Sequence, residues 1–341
     1  VTTKVMRRSA AAELLLDQCS DLQLSVMFDH AEGSEITLVG PTGEHILVDL
    51  DSSPYSMIEQ VLRQLRVTFR DLPLHVRGDS KEIRLLTPRI ALARLLPTVY
   101  SFTNNRYGEV RGTDEVRARF TSGVFRRMAS NPGPRHLSSA FLALIESDEG
   151  PLLAERRVEE CNLEVRVKRY HIGSPVHRYR YTERHPTVRA GPPLQRWSRF
   201  AEPVVCFDWR HPLVDEQGAR LADEPISDDY AAVWMEDVPR AKALARDTFR
   251  WLEDWFFATR LHLIDICFFI DRHGATVYGE ISPDCMRVRS GASDNAEAFD
   301  KDEWRSGGDP DTVLSRYQLL YTTLFPDGAT RTGGNAWPRW S

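Results

Sequence analysis

Leu163-Glu164-Val165-Arg166-Val167-Lys168-Arg169-Tyr170-His171-Ile172-Gly173-Ser174 and Gly279-Glu280-Ile281-Ser282-Pro283-Asp284-Cys285-Met286-Arg287 decide how this chain is read. Apolar and polar residues alternate over 163–168. That is the pattern of a strand with one buried face, and it puts Arg166 and Lys168 on the same side. They belong to a cationic run, 165–189, with Arg169, His171, His177, Arg178, Arg180, Arg184, His185 and Arg189. One reading is a solvated strand face. The other is an anion site around Gly173-Ser174: glycine admits close backbone approach, the serine hydroxyl donates to a phosphate oxygen, and lysine supplies charge. In the second stretch Pro283 halts a β-run, and acidic and basic groups cluster just beyond it. Strand ends and the loops after them often carry site residues.

Outward from these stretches the chain reads as mixed α and β. Ser9–Cys19 has helical periodicity, and Leu22–Asp29 is strand-like. Residues 35–39 and 45–50 alternate around Gly40-Pro41-Thr42-Gly43, which predicts a β-hairpin. Ser53 and Pro54 supply a cap and a first-turn proline for a helix over about 55–69. Ile83–Leu86 is a candidate strand and Asp114–Met128 a candidate helix. Residues 130–134 are a loop by composition. An apolar run over Ala140–Ser147 begins the next unit, and residues 151–182 read as a strand pair. Asp237-Val238-Pro239 opens the longest helix, about 238–260, with a broad apolar face. Leu261–Ile270 and Thr276–Ile281 resemble two strands joined at Asp271–Gly274. The segment after Arg331 shows no clear element, and there is no internal repeat.

Composition narrows the class. With 341 residues, the prior is two domains or one large two-lobed fold. A hydrophobic fraction of 42% with 8 Trp and 15 Phe excludes a disordered chain. Lys and Arg number 44 against 49 Asp and Glu, a net charge of -5, which disfavours nucleic acid as a partner. No stretch approaches the roughly 18 apolar residues of a membrane-spanning helix, and the first eight residues lack the apolar core of a secretion signal. The five scattered cysteines form no C-x-x-C pair, so neither a disulfide framework nor structural zinc is indicated, and a cytoplasmic location is expected. There is no P-loop, no G-x-G-x-x-G after a strand, no H-E-x-x-H and no G-x-S-x-G.

Together, the two stretches are similar to motifs of the SAICAR synthetases (phosphoribosylaminoimidazole-succinocarboxamide synthetases). Glu164–Ser174 resembles that family's E-[VC]-x-V-R-x-x-x-x-G-S, and Gly279–Arg287 its D-E-[IF]-S-P-D-x-x-R. Asp223–Asp229 and Asp300–Arg305 resemble its D-P-M-I-[NS]-[DE]-D-H and D-K-[DQ]-x-[FV]-R. The likeness covers about residues 76–320. It implies an α+β, two-lobed fold, in which a small β-rich lobe (76–150) and a larger α/β lobe (151–330) enclose a cleft. Residues 1–75 would be an N-terminal extension. It also implies that Lys168, Gly173, Ser174 and Arg287 bind the substrate phosphate and that Asp284 sits beside the azole. Lys at 168 replaces the family's Arg, which keeps the charge but loses the planar fork.

On the implied ATP and Mg²⁺ side the chain departs further. Lys81, Gly112 and Asp265 stand at nucleotide-side positions, with Glu280 as metal ligand and, with Lys81 and Asp284, in the catalytic set. Gly112-Thr113-Asp114 lacks the Lys and second Gly of the family's G-K-G. In its D-x-K-x-E strand, Lys becomes Cys267 and the metal-binding Glu becomes Phe269. The first Asp of D-E-[IF]-S-P-D becomes Gly279. Phenylalanine cannot ligate magnesium. The resemblance nonetheless implies an ATP-dependent carboxylate–amine ligase. Its partners would be an azole carboxylate of phosphoribosyl type and an amine, in purine or specialised nucleoside biosynthesis. The alternative is an ATP-independent enzyme, or a noncatalytic partner, that keeps the phosphate or carboxylate pocket. A homo-oligomer is left open.

Overall fold

The computed structural model describes residues 11–29, 34–101, 106–130, 137–174, 177–184, 191–210, 216–217 and 223–326. The expected loop at 131–134, His185, Arg189, the first eight residues and the segment after Arg331 lie outside them. The chain divides into two compact units, Val1–Leu96 with Ala140–Arg157, and Pro97–Ser139 with Val158–Ser341. Strands and helices are numbered in chain order.

In the first unit residues 11–18 are helical. Strands β1 (Ser25–Asp29), β2 (Glu35–Val39) and β3 (His45–Asp49) form an antiparallel sheet. The β2–β3 turn is the expected one. Gly43 takes φ 85°, open to glycine without strain, and its N–H donates to the Gly40 carbonyl. Helix α1 (Pro54–Gln64) starts where Ser53 accepts from the Ser56 N–H at 3.2 Å. It stops at Gln64, short of the expected Phe69. The Gln64 amide donates back to the Leu47 and Gln60 carbonyls, and Leu65 is extended.

The second sheet of this unit has the order β4-β5-β6-β10-β9, formed by Leu74–Arg77, Lys81–Leu85, Ile90–Leu95, Leu152–Arg156 and Phe141–Ile145, all antiparallel. The strand pair expected over 151–182 does not form. β10 pairs with β6 and β9, whereas β11 (Leu163–Tyr170) pairs in the second unit. One core joins Leu38, Ile46, Val61 and Leu62 to Leu92, Leu142, Ile145 and Leu152. The described residues of the first 75 thus bury apolar side chains together with those of β6, β9 and β10.

The second unit is built on the order β13-β12-β11-β14-β15, with β16 also paired to β14. β12 is Arg199–Trp209, β13 Glu224–Ile226, β14 His262–Ile270, β15 Val277–Tyr278 and β16 Met286–Arg289. β15 is shorter than the run expected over 276–281. Helix α4 (Val238–Ala258) opens with the Asp237 side chain accepting from the Arg240 N–H at 2.9 Å, and packs on β11, β12 and β14. Helix α2 (Thr113–Ser130) lies against α6 (Pro310–Leu324). The hairpin β7–β8 (Thr98–Ser101, Arg106–Glu109) and the short helices α3 (Asp228–Ala231) and α5 (Asp302–Arg305) complete it. No described helix is long and apolar enough to cross a membrane.

Phe69 is fully buried in the first unit, with the guanidinium groups of Arg84 and Arg94 at 5.5 and 5.2 Å from its ring centroid. Phe69→Ala is expected to destabilise this unit by about 3–5 kcal/mol, read from the denaturant midpoint of its unfolding.

Candidate functional site

Strand β11 has both neighbours filled, β12 on one edge and β14 on the other, and all eight of its residues are buried. The expectation of one solvated face is therefore corrected. Leu163, Val165 and Val167 take one face, and Glu164, Arg166 and Lys168 alternate with them on the other. Charges buried in this way require partners. The register supplies them. Lys168 stands opposite Asp265 on β14, and Asp265 stands opposite Arg287 on β16. Directly opposed residues share a face, so the three side chains form a row.

Within that row the Lys168 Nζ donates to Asp265 Oδ2 at 3.0 Å, and Arg287 donates to both Asp265 oxygens at 3.0 and 2.7 Å. Burial alone would raise the Asp265 pKa, but Arg287 and Lys168 hold it well below the usual carboxylate range. Burial also lowers the Lys168 pKa, with Asp265 pulling it back. Asp265, expected on the nucleotide side, thus shares its carboxylate with the two cations expected to hold the phosphate.

Gly173 closes on this row. Its φ is 119°, and a Cβ built there would stand 2.9 Å from Lys168 Nζ and 3.2 Å from the Arg287 guanidinium. Only glycine brings the backbone so near both cations. A cavity of about 490 Å³ opens at Gly173 and Arg287, lined also by Arg289, Arg305, Asp302 and Glu303. Five arginines and four carboxylates line it together with apolar surface, so its arginines can meet an anionic ligand only in competition with their present partners.

Ser174 adjoins a further cluster. Its Oγ lies 2.8 Å from His177 Nδ1, and His177 Nε2 lies 3.3 Å from Arg166 NH2. Arg166 donates through Nε to Asp208 Oδ2 at 2.7 Å. Burial, then Arg166 and Lys168, push the His177 pKa down to about 3. Next to Arg166 on β11, Glu164 accepts from Arg210 at 2.7 Å.

The second motif is committed differently. Both oxygens of Glu280 accept from Arg117, at 2.7 and 2.8 Å, and Ser282 Oγ donates to the same carboxylate. Arg117 is fully buried. Asp284 accepts from Lys301 at 3.1 Å and from the Tyr317 hydroxyl at 3.0 Å. Gly112, with φ 87°, leads into α2 and its carbonyl accepts from the Val116 N–H. Lys81 lies on β5, opposite Leu95, in the first unit.

The structure therefore gathers Lys168, Gly173, Arg287 and Asp265, sets Ser174 against His177, and places Glu280 and Asp284 in separate ion pairs. Among the described residues no cluster of three or more His, Cys, Asp or Glu side chains is placed to hold a metal ion. Glu280, expected as the metal ligand, is held in both directions by Arg117, and Phe269 lies against Tyr278 with ring centroids 5.5 Å apart. The donor set does not fit magnesium in the expected manner. Sequence reasoning missed Arg117, Asp208 and His177 as partners. For Arg117 a signal existed: it falls with Phe120, Thr121 and Val124 on the buried face of α2, at helical spacing.

Among known proteins, no family model matches the chain. A phosphoribosylaminoimidazole-succinocarboxamide synthase of Synechococcus sp. is 27% identical over 265 residues, covering 75% of this chain and 96% of that protein. The bifunctional cordycepin biosynthesis cluster protein 3 of Cordyceps militaris is 26% identical over 289 residues. The match takes in 72% of this chain but about a third (32%) of that longer protein. Among solved structures, a type-2 SAICAR synthetase in complex with ADP superposes with a TM-score of 0.58 at 19% identity, over 74% of this chain and 97% of that one. The Saccharomyces cerevisiae SAICAR synthase complexed with SAICAR gives 0.58 at 18% identity, over 80% and 99%. At these identities the structural likeness establishes the α+β fold.

Two outcomes follow for this site. Gly173→Ala is expected to lower the affinity for a phosphate-bearing ligand by about tenfold or more while the chain stays folded, measured by calorimetry and circular dichroism. His177 is neutral in the fold down to a pKa of about 3, whereas its ordinary value is 6.5. Below pH 6.5 the unfolded chain binds the proton and the folded chain does not, so stability is lost as pH falls. Unfolding free energy is expected to fall more steeply between pH 6 and 5 in the wild type than in His177→Asn, by up to about 1 kcal/mol.

Proposed function

We propose that the chain is a divergent member of the SAICAR synthetase family that keeps one half of an implied site and alters the other, and that it binds an azole carboxylate of phosphoribosyl type in the cavity lined by Gly173 and Arg287, with Lys168 next to that glycine. It acts there as a ligase-like enzyme of purine or nucleoside-related biosynthesis, joining the carboxylate to an amine. The observation that carries this reading is the approach of Gly173 to buried Lys168 and partly buried Arg287. The carboxylates there are shared several ways: Asp265 serves both Lys168 and Arg287, and Asp302, 3.6 Å from Arg287, also pairs with Arg289 and Arg305, so an anion in the cavity would relieve the crowding of cations. Ser174 and the arginines of the cavity add donors suited to phosphate oxygens. The Synechococcus synthase and the cordycepin-cluster protein support a place in nucleotide or nucleoside chemistry.

What this chain's residues do is bind and orient. Lys168 and Arg287 fix the anionic end. Arg289 and Arg305, both paired with Asp302, line the cavity beyond it. Asp284 is held as a carboxylate by Lys301 and Arg117, against the burial that would raise its pKa.

A second reading is favoured by a specific observation. The Glu280–Arg117 pair, Phe269 and Gly279 occupy the positions where the family resemblance implies magnesium and nucleotide ligands. On that basis the chain is an ATP-independent enzyme, or a noncatalytic partner, that retains the ligand pocket. No step through ATP or Mg²⁺ is derived from these residues.

Calorimetric titration separates the two. The wild-type chain is expected to bind aminoimidazole carboxylate ribotide at micromolar concentration, and Arg287→Met to weaken this by about tenfold or more. ATP with Mg²⁺ is then titrated with and without the ribotide. Micromolar nucleotide binding supports the ATP-dependent ligase, and none up to millimolar concentration supports the second reading. Absence of ribotide binding overturns both.

A further inference from the structure

Beside the Lys168–Asp265–Arg287 row, Ser174, His177, Arg166 and Asp208 form a chain of contacts that the ligand reading leaves without a purpose. The His177 side chain is 8% exposed and that of Asp208 is fully buried. Arginine remains protonated in proteins and has no acceptor. At 3.3 Å from Nε2, Arg166 NH2 therefore calls for a bare nitrogen at that position. A neutral imidazole then carries its proton on Nδ1. Nδ1 lies 2.8 Å from Ser174 Oγ, so the serine oxygen is the acceptor of that bond. Its own hydroxyl proton is left to point elsewhere.

Asp208 is the group that pulls the other way. Its Oδ2 is 3.5 Å from His177 Nε2 and could take a proton from it. That oxygen already accepts from Arg166 Nε at 2.7 Å and Arg166 NH2 at 2.5 Å. The shorter contact of Nε2 is with the donor, and the Asp208 lone pairs on that side are taken. Burial, Arg166 and Lys168 all act against a doubly protonated ring.

We propose that Arg166 and His177 are positioning residues that commit the Ser174 hydroxyl to donating to an oxyanion of the ligand. The pocket would then select a phosphate or carboxylate oxygen over a neutral hydroxyl or amine at that point. This rests on the anion-site reading above. It adds a specificity device made of residues that do not themselves touch the ligand. A serine free to rotate could accept as readily as donate, and would not discriminate.

Long-range ¹H–¹⁵N correlation spectra of the wild-type chain test the tautomer directly, with the His177 signals assigned by their loss in His177→Asn or His177→Gln. A protonated Nδ1 and a bare Nε2 are expected, and a protonated Nε2 overturns the proposal whatever the chain binds. Calorimetry with ribose 5-phosphate tests the consequence. Ser174→Ala and His177→Ala should each weaken binding by about tenfold, and the double variant no further. His177→Asn, whose side-chain amide can donate where Nδ1–H did, should stay within about threefold of wild type. Losses that multiply in the double variant, with no rescue by Asn, overturn the proposal. If the wild type fails to bind ribose 5-phosphate, the anion-site reading falls and takes the selection of an oxyanion with it, while the tautomer is still read from the spectra.

Discussion

The burial of three charged residues on one face of β11 is the constraint on which the second unit depends. Glu164, Arg166 and Lys168 are each less than a tenth exposed. Every one needs a countercharge, because an unpaired charge in that position would cost several kcal/mol. The order β12-β11-β14-β16 helps to meet the need: Asp208 on β12 pairs with Arg166, Asp265 on β14 pairs with Lys168 and is itself held by Arg287 on β16, and Arg210, just past the end of β12, donates to Glu164. A slip of one residue in any of these pairings would turn the partners to the opposite face. The electrostatics of the site and the register of the sheet are therefore one arrangement.

The same logic separates the two halves of the implied site. Around Gly173, Lys168, Arg287, Arg289 and Arg305 share the carboxylates of Asp265, Asp300 and Asp302, and the glycine brings the backbone to within reach. On the side of the second motif, charges cancel in closed pairs: Glu280 with Arg117, Asp284 with Lys301 and Tyr317. A bidentate arginine–carboxylate pair in a buried setting is geometrically satisfied and leaves little for a metal to displace. One stretch thus gathers cations around Gly173 while the other closes its charges into pairs.

Much of the architecture was legible along the chain. The β2–β3 hairpin, α1, α2 and α4 follow from alternation, helical spacing, and the caps at Ser53 and Asp237. The end of α1 was not legible. It depends on Gln64 folding back onto Leu47, a contact between elements. Nor was the separation of β10 from β11 legible, since two successive strands with a short connection read alike whether or not they pair. In the site, Lys168, Gly173 and Arg287 were identified from motif likeness and do converge. Arg117, Asp208 and His177 were not identified as their neighbours' partners, because each is far in sequence from the group it meets or lies in a segment whose charges read as solvated.

The sequence by itself determined the α+β character, the family likeness and which side chains bring positive charge to Gly173-Ser174. Local spacing and residue chemistry carry that information. The tertiary structure decided that the cationic strand is buried on both faces, that Asp265 belongs with the phosphate-side cations, and that Glu280 is bound to Arg117. These outcomes turn on strand order and register, and both are fixed by contacts between residues 22 to 163 positions apart, which no local pattern encodes.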